Sequence, residues 1–169
     1  AAPYALENLS RLGAAMKAFV DDNHLDAISI RCWSELQHLL HIAPCALLGI
    51  FNSMGVPTAC ETDASNALAA MALNAASSEP TGCLDINNNY GTDPDKAVLF
   101  HCGPLPVELM VKPGHIEEHL MFTKTQGENC SWGVNVGHIK PGVITISGMR
   151  TENGEVHYFV ERAEITDDP

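Results

Sequence analysis

Val56-Pro57-Thr58-Ala59-Cys60-Glu61-Thr62-Asp63, the Ala-rich stretch from Ala64 to Ser77, and Thr81-Gly82-Cys83-Leu84-Asp85 read in order as strand, helix and strand. The first and last runs are short and apolar and are bounded by turn formers, which fits buried strands. Thr62 or Asp63 can cap the helix between them, whose alanines favour helical backbone. Ser78-Glu79-Pro80 ends that helix.

Working outward, Leu6, Leu9, Leu12, Met16, Phe19 and Val20 follow the three/four spacing of an amphipathic helix over residues 5–22. Leu25 to Arg31 then reads as a strand. A helix-rich stretch follows, with Pro44 placed to open a second helix and Gly55 to close it. Ala97-Val98-Leu99-Phe100-His101 is a further short strand. Such alternation is the signature of an α/β layer on a parallel sheet, expected here over residues 1–102.

The texture changes after Gly103-Pro104-Leu105-Pro106. Turn signals recur at Pro113-Gly114, Gly127, Pro141-Gly142 and Asn153-Gly154. The last joins Val143–Thr151 to Glu155–Arg162, and Asn-Gly between β-rich runs marks a hairpin. Residues 103–169 are therefore expected to be β-rich, an antiparallel, barrel-like part that the chain leaves incomplete.

The 169 residues are 46% hydrophobic and 18% charged, the balance of a folded domain with a real core. A net charge of −12 with only nine Lys and Arg, scattered along the chain, argues against a nucleic-acid partner. No apolar run approaches the roughly 18 residues of a membrane span, and no signal peptide is expected. The six cysteines show no CxxC pair, and Cys45, Cys60 and Cys83 stand in apolar runs as small buried hydrophobes. With this much core a disulfide framework is not expected, which points to a reducing cytoplasm.

Three of the runs deliver a polar group at their exit: Glu61, Asp85 and His101. Ligand sites of open α/β sheets lie beyond the carboxyl ends of the strands. Two carboxylates and an imidazole there suit a hard to borderline divalent cation such as Mn²⁺ or Mg²⁺. They also suit proton transfer at a carbon next to a carbonyl. Each has a plainer reading: Glu61 favouring a helix dipole, Asp85 forming a turn, His101 simply satisfied at a strand end. Asp85 is expected to lead into a polar loop, Ile86-Asn87-Asn88-Asn89-Tyr90-Gly91. Trp33, just past Arg31, falls on the same edge as Glu61 and Asp85, where an aromatic ring can pack on a sugar face. His115 and His119 are four apart in a β-like region, so a helical metal pair is not expected of them.

Val56 to Asp63, the Ala/Leu/Met-rich helix and Cys83-Leu84-Asp85 resemble the core of the L-fucose isomerase family. Phe100-His101-Cys102-Gly103 is similar to its fucose isomerase-like branch. The Glu61/Asp85 pair, 24 positions apart, is the most specific part of the match. The resemblance implies a Mn²⁺-dependent aldose–ketose isomerase working through a cis-enediol. Glu61 and Asp85 would be both metal ligands and the acid/base pair. His101 resembles the metal-ligand histidine of the related L-arabinose isomerases. The implied substrate is a monosaccharide, with Trp33 and Asn87 as its contacts, and the implied assembly a homo-oligomer, trimer or hexamer. The family carries two α/β domains ahead of a β-rich one, so the chain is expected to be a portion of a longer polypeptide. A non-catalytic sugar-binding or regulatory module of the same fold is the alternative, which predicts sugar binding without metal dependence. A metal-dependent hydrolase or aldolase is disfavoured, because neither an activated nucleophile nor a Schiff-base lysine stands out.

Overall fold

A computed structural model describes residues 2–168; Ala1 and Pro169, the outer limits of the two expected parts, lie outside the described residues. Helix α1 (Pro3–Asn23) starts on a proline, whose fixed φ suits the first helical turn. Ala5, Leu9, Met16 and Val20 form its buried stripe. It closes on His24 in the left-handed region, with the Leu25 amide donating back to the Val20 carbonyl at 3.0 Å.

The strands expected around residues 28 and 58 shorten to β1 (Ile28–Ser29) and β2 (Thr58–Ala59), paired in parallel. Between them lie α2 (Glu35–Leu40) and α3 (Cys45–Ser53). Pro44 stands at the N-cap of α3, and Gly55 follows its end with φ +76°. Helix α3 is the centre of the core: Leu47, Leu48 and Phe51 are buried with Met16, Val20, Cys32 and Cys60. Burying a side chain such as Phe51 is worth about 1.5–3 kcal/mol. Helix α4 (Ala64–Ser77) is capped by Asp63, whose Oδ1 accepts the Asn66 amide at 2.9 Å.

Past α4 the structure departs from expectation. Thr81 to Leu84 belongs to no ladder, and Asp85 opens a strand instead of ending one. The run expected as a polar loop is β3 (Asp85–Asn89), antiparallel to β4 (Ala97–Phe100). Asn87 sits where the register slips between Ile86 and Asn88. Its amide-rich sequence reads as loop, yet β3 is exposed along its whole length and buries no apolar face. It is a strand because β4 supplies the hydrogen-bonding partner.

Gly103 to Pro106, at the expected boundary between the two parts, is buried beneath α3. A 3-10 turn (Val107–Leu109) follows, then β5 (His115–Glu118), α5 (Leu120–Gln126) and β6 (Trp132–Val136), with β5 and β6 antiparallel. The hairpin expected at the end is present as β7 (Gly142–Glu152) and β8 (Glu155–Ile165). Its turn residues Asn153 and Gly154 have φ +53° and +82°, the positive values that the hairpin turn requires. Among the described residues the strands pair two by two, with one parallel pair and no closed barrel. No described helix is long and apolar enough to cross a membrane.

Candidate functional site

The parallel pairing of β1 with β2 brings the two strand exits together. The Thr62 amide donates to the Ile30 carbonyl at 3.1 Å, and the Glu61 amide to Cys32 Sγ at 3.3 Å. Glu61 and Thr62 both have positive φ, +58° and +60°. For a β-branched residue such as Thr62 this is an uncommon and strained backbone, costing on the order of 1–3 kcal/mol. The sharp turn leaves Glu61 exposed at a cleft it shares with Arg31, Cys32, Trp33 and Thr62. Trp33 is held from behind by edge-on contacts to Phe122 and His119, with ring centroids 5.0 and 5.7 Å away.

The β3–β4 hairpin supplies the other two groups. Antiparallel pairing sets the start of β3 beside the end of β4, Asp85 opposite Phe100. His101 therefore still meets Asp85, although one strand enters where the other leaves: Nε2 lies 3.8 Å from Asp85 Oδ2. The His101 side chain is 5% exposed and that of Asp85 58%, so a buried imidazole faces a solvated carboxylate. Asn87 is exposed on the same hairpin.

Thiols surround His101. Its Nε2 is 3.1 Å from Cys60 Sγ, and its Nδ1 accepts the Cys102 amide at 2.8 Å. That amide occupies the Nδ1 lone pair, so the ring is neutral with its proton on Nε2. Burial favours this form, but Cys102, Cys83 and Asp85 together outweigh it and raise the His101 pKa above that of an ordinary imidazole. Cys60, Cys83 and His101 offer ligand atoms all within 4.8 Å of one another. The Cys60 thiol keeps its proton, pushed well up by the neighbouring Cys32 and Cys83 sulfurs and by burial. Cys102 is held low by the Cys45 thiol donating to it, against its own desolvation, and by the His101 and His119 rings. His119 Nε2 lies 3.1 Å from Cys102 Sγ, while its buried Nδ1 has no partner among the described residues.

Of the three residues expected at one site, the structure brings Asp85 to His101, while Glu61 lines the cleft with Arg31, Cys32, Trp33 and Thr62. The cluster that closes tightest around His101 is instead made by two cysteines read as inert core. A signal was available, since Cys60, Cys83 and Cys102 each stand within two positions of Glu61, Asp85 or His101.

Two kinds of cation suit these donors. The carboxylates of Glu61 and Asp85 are hard oxygen ligands of the kind Mn²⁺ takes, and Asp85 stands against an imidazole. The thiols of Cys60 and Cys83 favour softer ions. For Nε2 to bind either ion, the ring proton must leave Nε2, which forfeits the Cys102 amide bond if it moves to Nδ1. That bond is worth about 1 kcal/mol. Thiolate coordination of zinc in small domains is worth about 10–16 kcal/mol, so the tautomer does not bar a metal.

No family model matches the chain. The chain is similar to curated proteins named sulfoquinovose isomerase. That of Alkalicoccus urumqiensis is 26% identical over 134 residues, 79% of this chain and 30% of the relative. Those of Priestia aryabhattai and Priestia megaterium are each 27% identical over 88 residues, 52% of this chain and 20% of the relative. The chain thus spans less than a third of the length of these relatives.

Proposed function

We propose that the protein carrying this chain is an aldose–ketose isomerase acting on a monosaccharide, with sulfoquinovose the first substrate to test. The observation that carries the reading is the similarity to sulfoquinovose isomerases across 79% of the chain. Asp85 beside His101, and Glu61 beside Trp33 in one cleft, give that similarity a chemical basis.

Isomerisation moves one proton between carbons and one between oxygens. Glu61 takes the C2 proton of the aldose while Asp85 delivers a proton to O1, giving the cis-enediol. Glu61 then returns its proton to C1, and Asp85 takes the proton from O2 as the ketone forms. A Mn²⁺ ion held by Glu61, Asp85 and His101 would supply positive charge against the enediol oxygens. His101 keeps Asp85 at the edge of the buried core, and Trp33 offers the sugar an apolar face. Asn87, exposed on the hairpin that carries Asp85, offers amide hydrogen bonds to hydroxyl groups. The assembly is a homo-oligomer.

The test is conversion of sulfoquinovose to its ketose, followed by NMR with and without Mn²⁺. Loss of turnover by two to four orders of magnitude in Asp85→Asn, with sugar binding within a few-fold of wild type, supports the assignment. Sugar binding with no conversion under any condition would instead mark a binding module.

A further inference from the structure

Two thiols and an imidazole converge on one point beside Asp85, and the sugar chemistry has no use for the sulfurs. We propose that Cys60, Cys83 and His101 form a three-ligand site for a borderline-soft divalent cation of the Zn²⁺ class, with Asp85 or a water as fourth ligand. The inference does not rest on the isomerase reading: it shares His101 with that reading, but its two sulfur donors take no part in the sugar chemistry and it is read by a different signal.

The geometry is near what such an ion needs. Zinc–sulfur bonds of about 2.3 Å and zinc–nitrogen bonds of about 2.0–2.1 Å, set at tetrahedral angles, separate two sulfurs by about 3.8 Å. The same bonds put each sulfur about 3.6 Å from the nitrogen. Here Cys60 Sγ and His101 Nε2 are 3.1 Å apart, and all three ligand atoms fall within 4.8 Å. Small rotations of the cysteine side chains reach the tetrahedral spacing. Asp85 Oδ2 lies 3.8 Å from Nε2 but outside the close cluster of three, so its exposed side chain must swing inward to become the fourth ligand, a position that water otherwise fills.

The supports of the three ligands differ in kind. Cys60 ends the parallel pair, anchored where the Asp63 amide donates to its carbonyl at 3.0 Å. Cys83 lies in the irregular segment before β3, and His101 follows β4. Only Cβ joins Cys83 Sγ to its backbone, but one χ rotation moves the sulfur and the half-buried segment around it belongs to no ladder, so this ligand can adjust to the ion. Two cysteines, one histidine and an open position make a donor set of the zinc type that also admits solvent. On binding, each thiol gives up its proton to solvent, so the two thiolates neutralise the ion's charge within the half-buried site. Because His101 cannot serve two ions at once, a thiophilic cation here competes with Mn²⁺ at the carboxylates.

Anaerobic titration of the reduced chain with Co²⁺, a spectroscopic stand-in for zinc, tests the proposal. The expected result is one tight equivalent, with intense sulfur-to-cobalt charge-transfer absorption and the visible bands of a tetrahedral site. Affinity should fall at least about tenfold in Cys60→Ser and in Cys83→Ser, and the charge-transfer band should weaken. Glu61→Gln and Cys130→Ser should keep the wild-type spectrum. No charge-transfer band in wild type, or an unchanged band in the Cys60→Ser/Cys83→Ser double variant, overturns the proposal. Loss of the band in Cys102→Ser alone would also overturn it, moving the site to the Cys102–His119 pair. If the serine variants do not fold, X-ray absorption of the zinc-loaded wild type decides. Two sulfurs and one nitrogen support the site, and an oxygen-and-nitrogen shell refutes it. Loss of isomerase activity alone leaves these readings unchanged, so the two accounts fail separately.

Discussion

Asn52→Ala is the perturbation that reaches furthest through this molecule. Asn52 is 2% exposed, on the inner face of α3. Its Oδ1 accepts the Thr58 amide at 2.7 Å, and its Nδ2 donates to the Pro104 carbonyl at 2.9 Å. A longer contact of 3.4 Å runs to the Thr58 carbonyl. One side chain thus ties β2, which leads to Cys60 and Glu61, to the segment three residues past His101. Alanine leaves the Thr58 amide and the Pro104 carbonyl buried without their partner. Each orphaned group costs about 1–3 kcal/mol, so a loss of about 3 kcal/mol is expected. That is a large part of the roughly 5–15 kcal/mol by which such domains are stable. Since 1 kcal/mol moves the midpoint of a domain this size by about 2–4 °C, the melting temperature should fall by about 6–12 °C. Urea unfolding measures the change as a lower midpoint at unchanged slope. Ser53→Ala, next along the helix, removes an exposed hydroxyl bond to Glu108 and should stay within about 0.5 kcal/mol. A loss below about 0.5 kcal/mol in Asn52→Ala would refute the bridging role.

Gly49→Ala should cost about 1–3 kcal/mol in urea unfolding, because its Cβ would meet the Leu105 carbonyl, a backbone atom that cannot swing aside. Gly154→Ala, at φ +82° in the last hairpin, should lose about 1–2 kcal/mol, with faster amide exchange confined to β7 and β8. Cys102 should stay alkylatable at pH 6, where an ordinary thiol near 8.5 is almost fully protonated; peptide mapping after brief iodoacetamide treatment reads this. The linkage sign follows: with its folded pKa depressed, the thiolate's contribution to stability is full above the ordinary thiol pKa. It is lost as pH falls towards the folded value.

What the sequence disclosed followed the strength of its local signals. Helix α1 was legible because four buried side chains repeat at helical spacing, and α4 because Asp63 is a cap whose role needs no tertiary partner. The last hairpin was legible from Asn153-Gly154, a pair chosen by backbone geometry alone. Strand β3 was not legible, since Asp85 to Asn89 has the composition of a loop and becomes a strand only through β4. The thiol cluster was hidden for a related reason. A cysteine in an apolar run looks the same whether its sulfur meets a leucine or an imidazole, and only the folded chain brings Cys60 and Cys83 to His101. The meeting of Asp85 with His101 was anticipated by the wrong route. Parallel strand exits were expected, and an antiparallel hairpin produced the same neighbours.

The most direct test of the isomerase reading follows solvent hydrogen into the sugar. The protein carrying this chain is incubated with sulfoquinovose and Mn²⁺ in D₂O, and deuterium at C2 of the aldose and C1 of the ketose is read by NMR. The account predicts deuterium at both carbons with wild type, and its loss in Glu61→Gln and Asp85→Asn. Equal incorporation in wild type and both variants, or none in wild type, would contradict it.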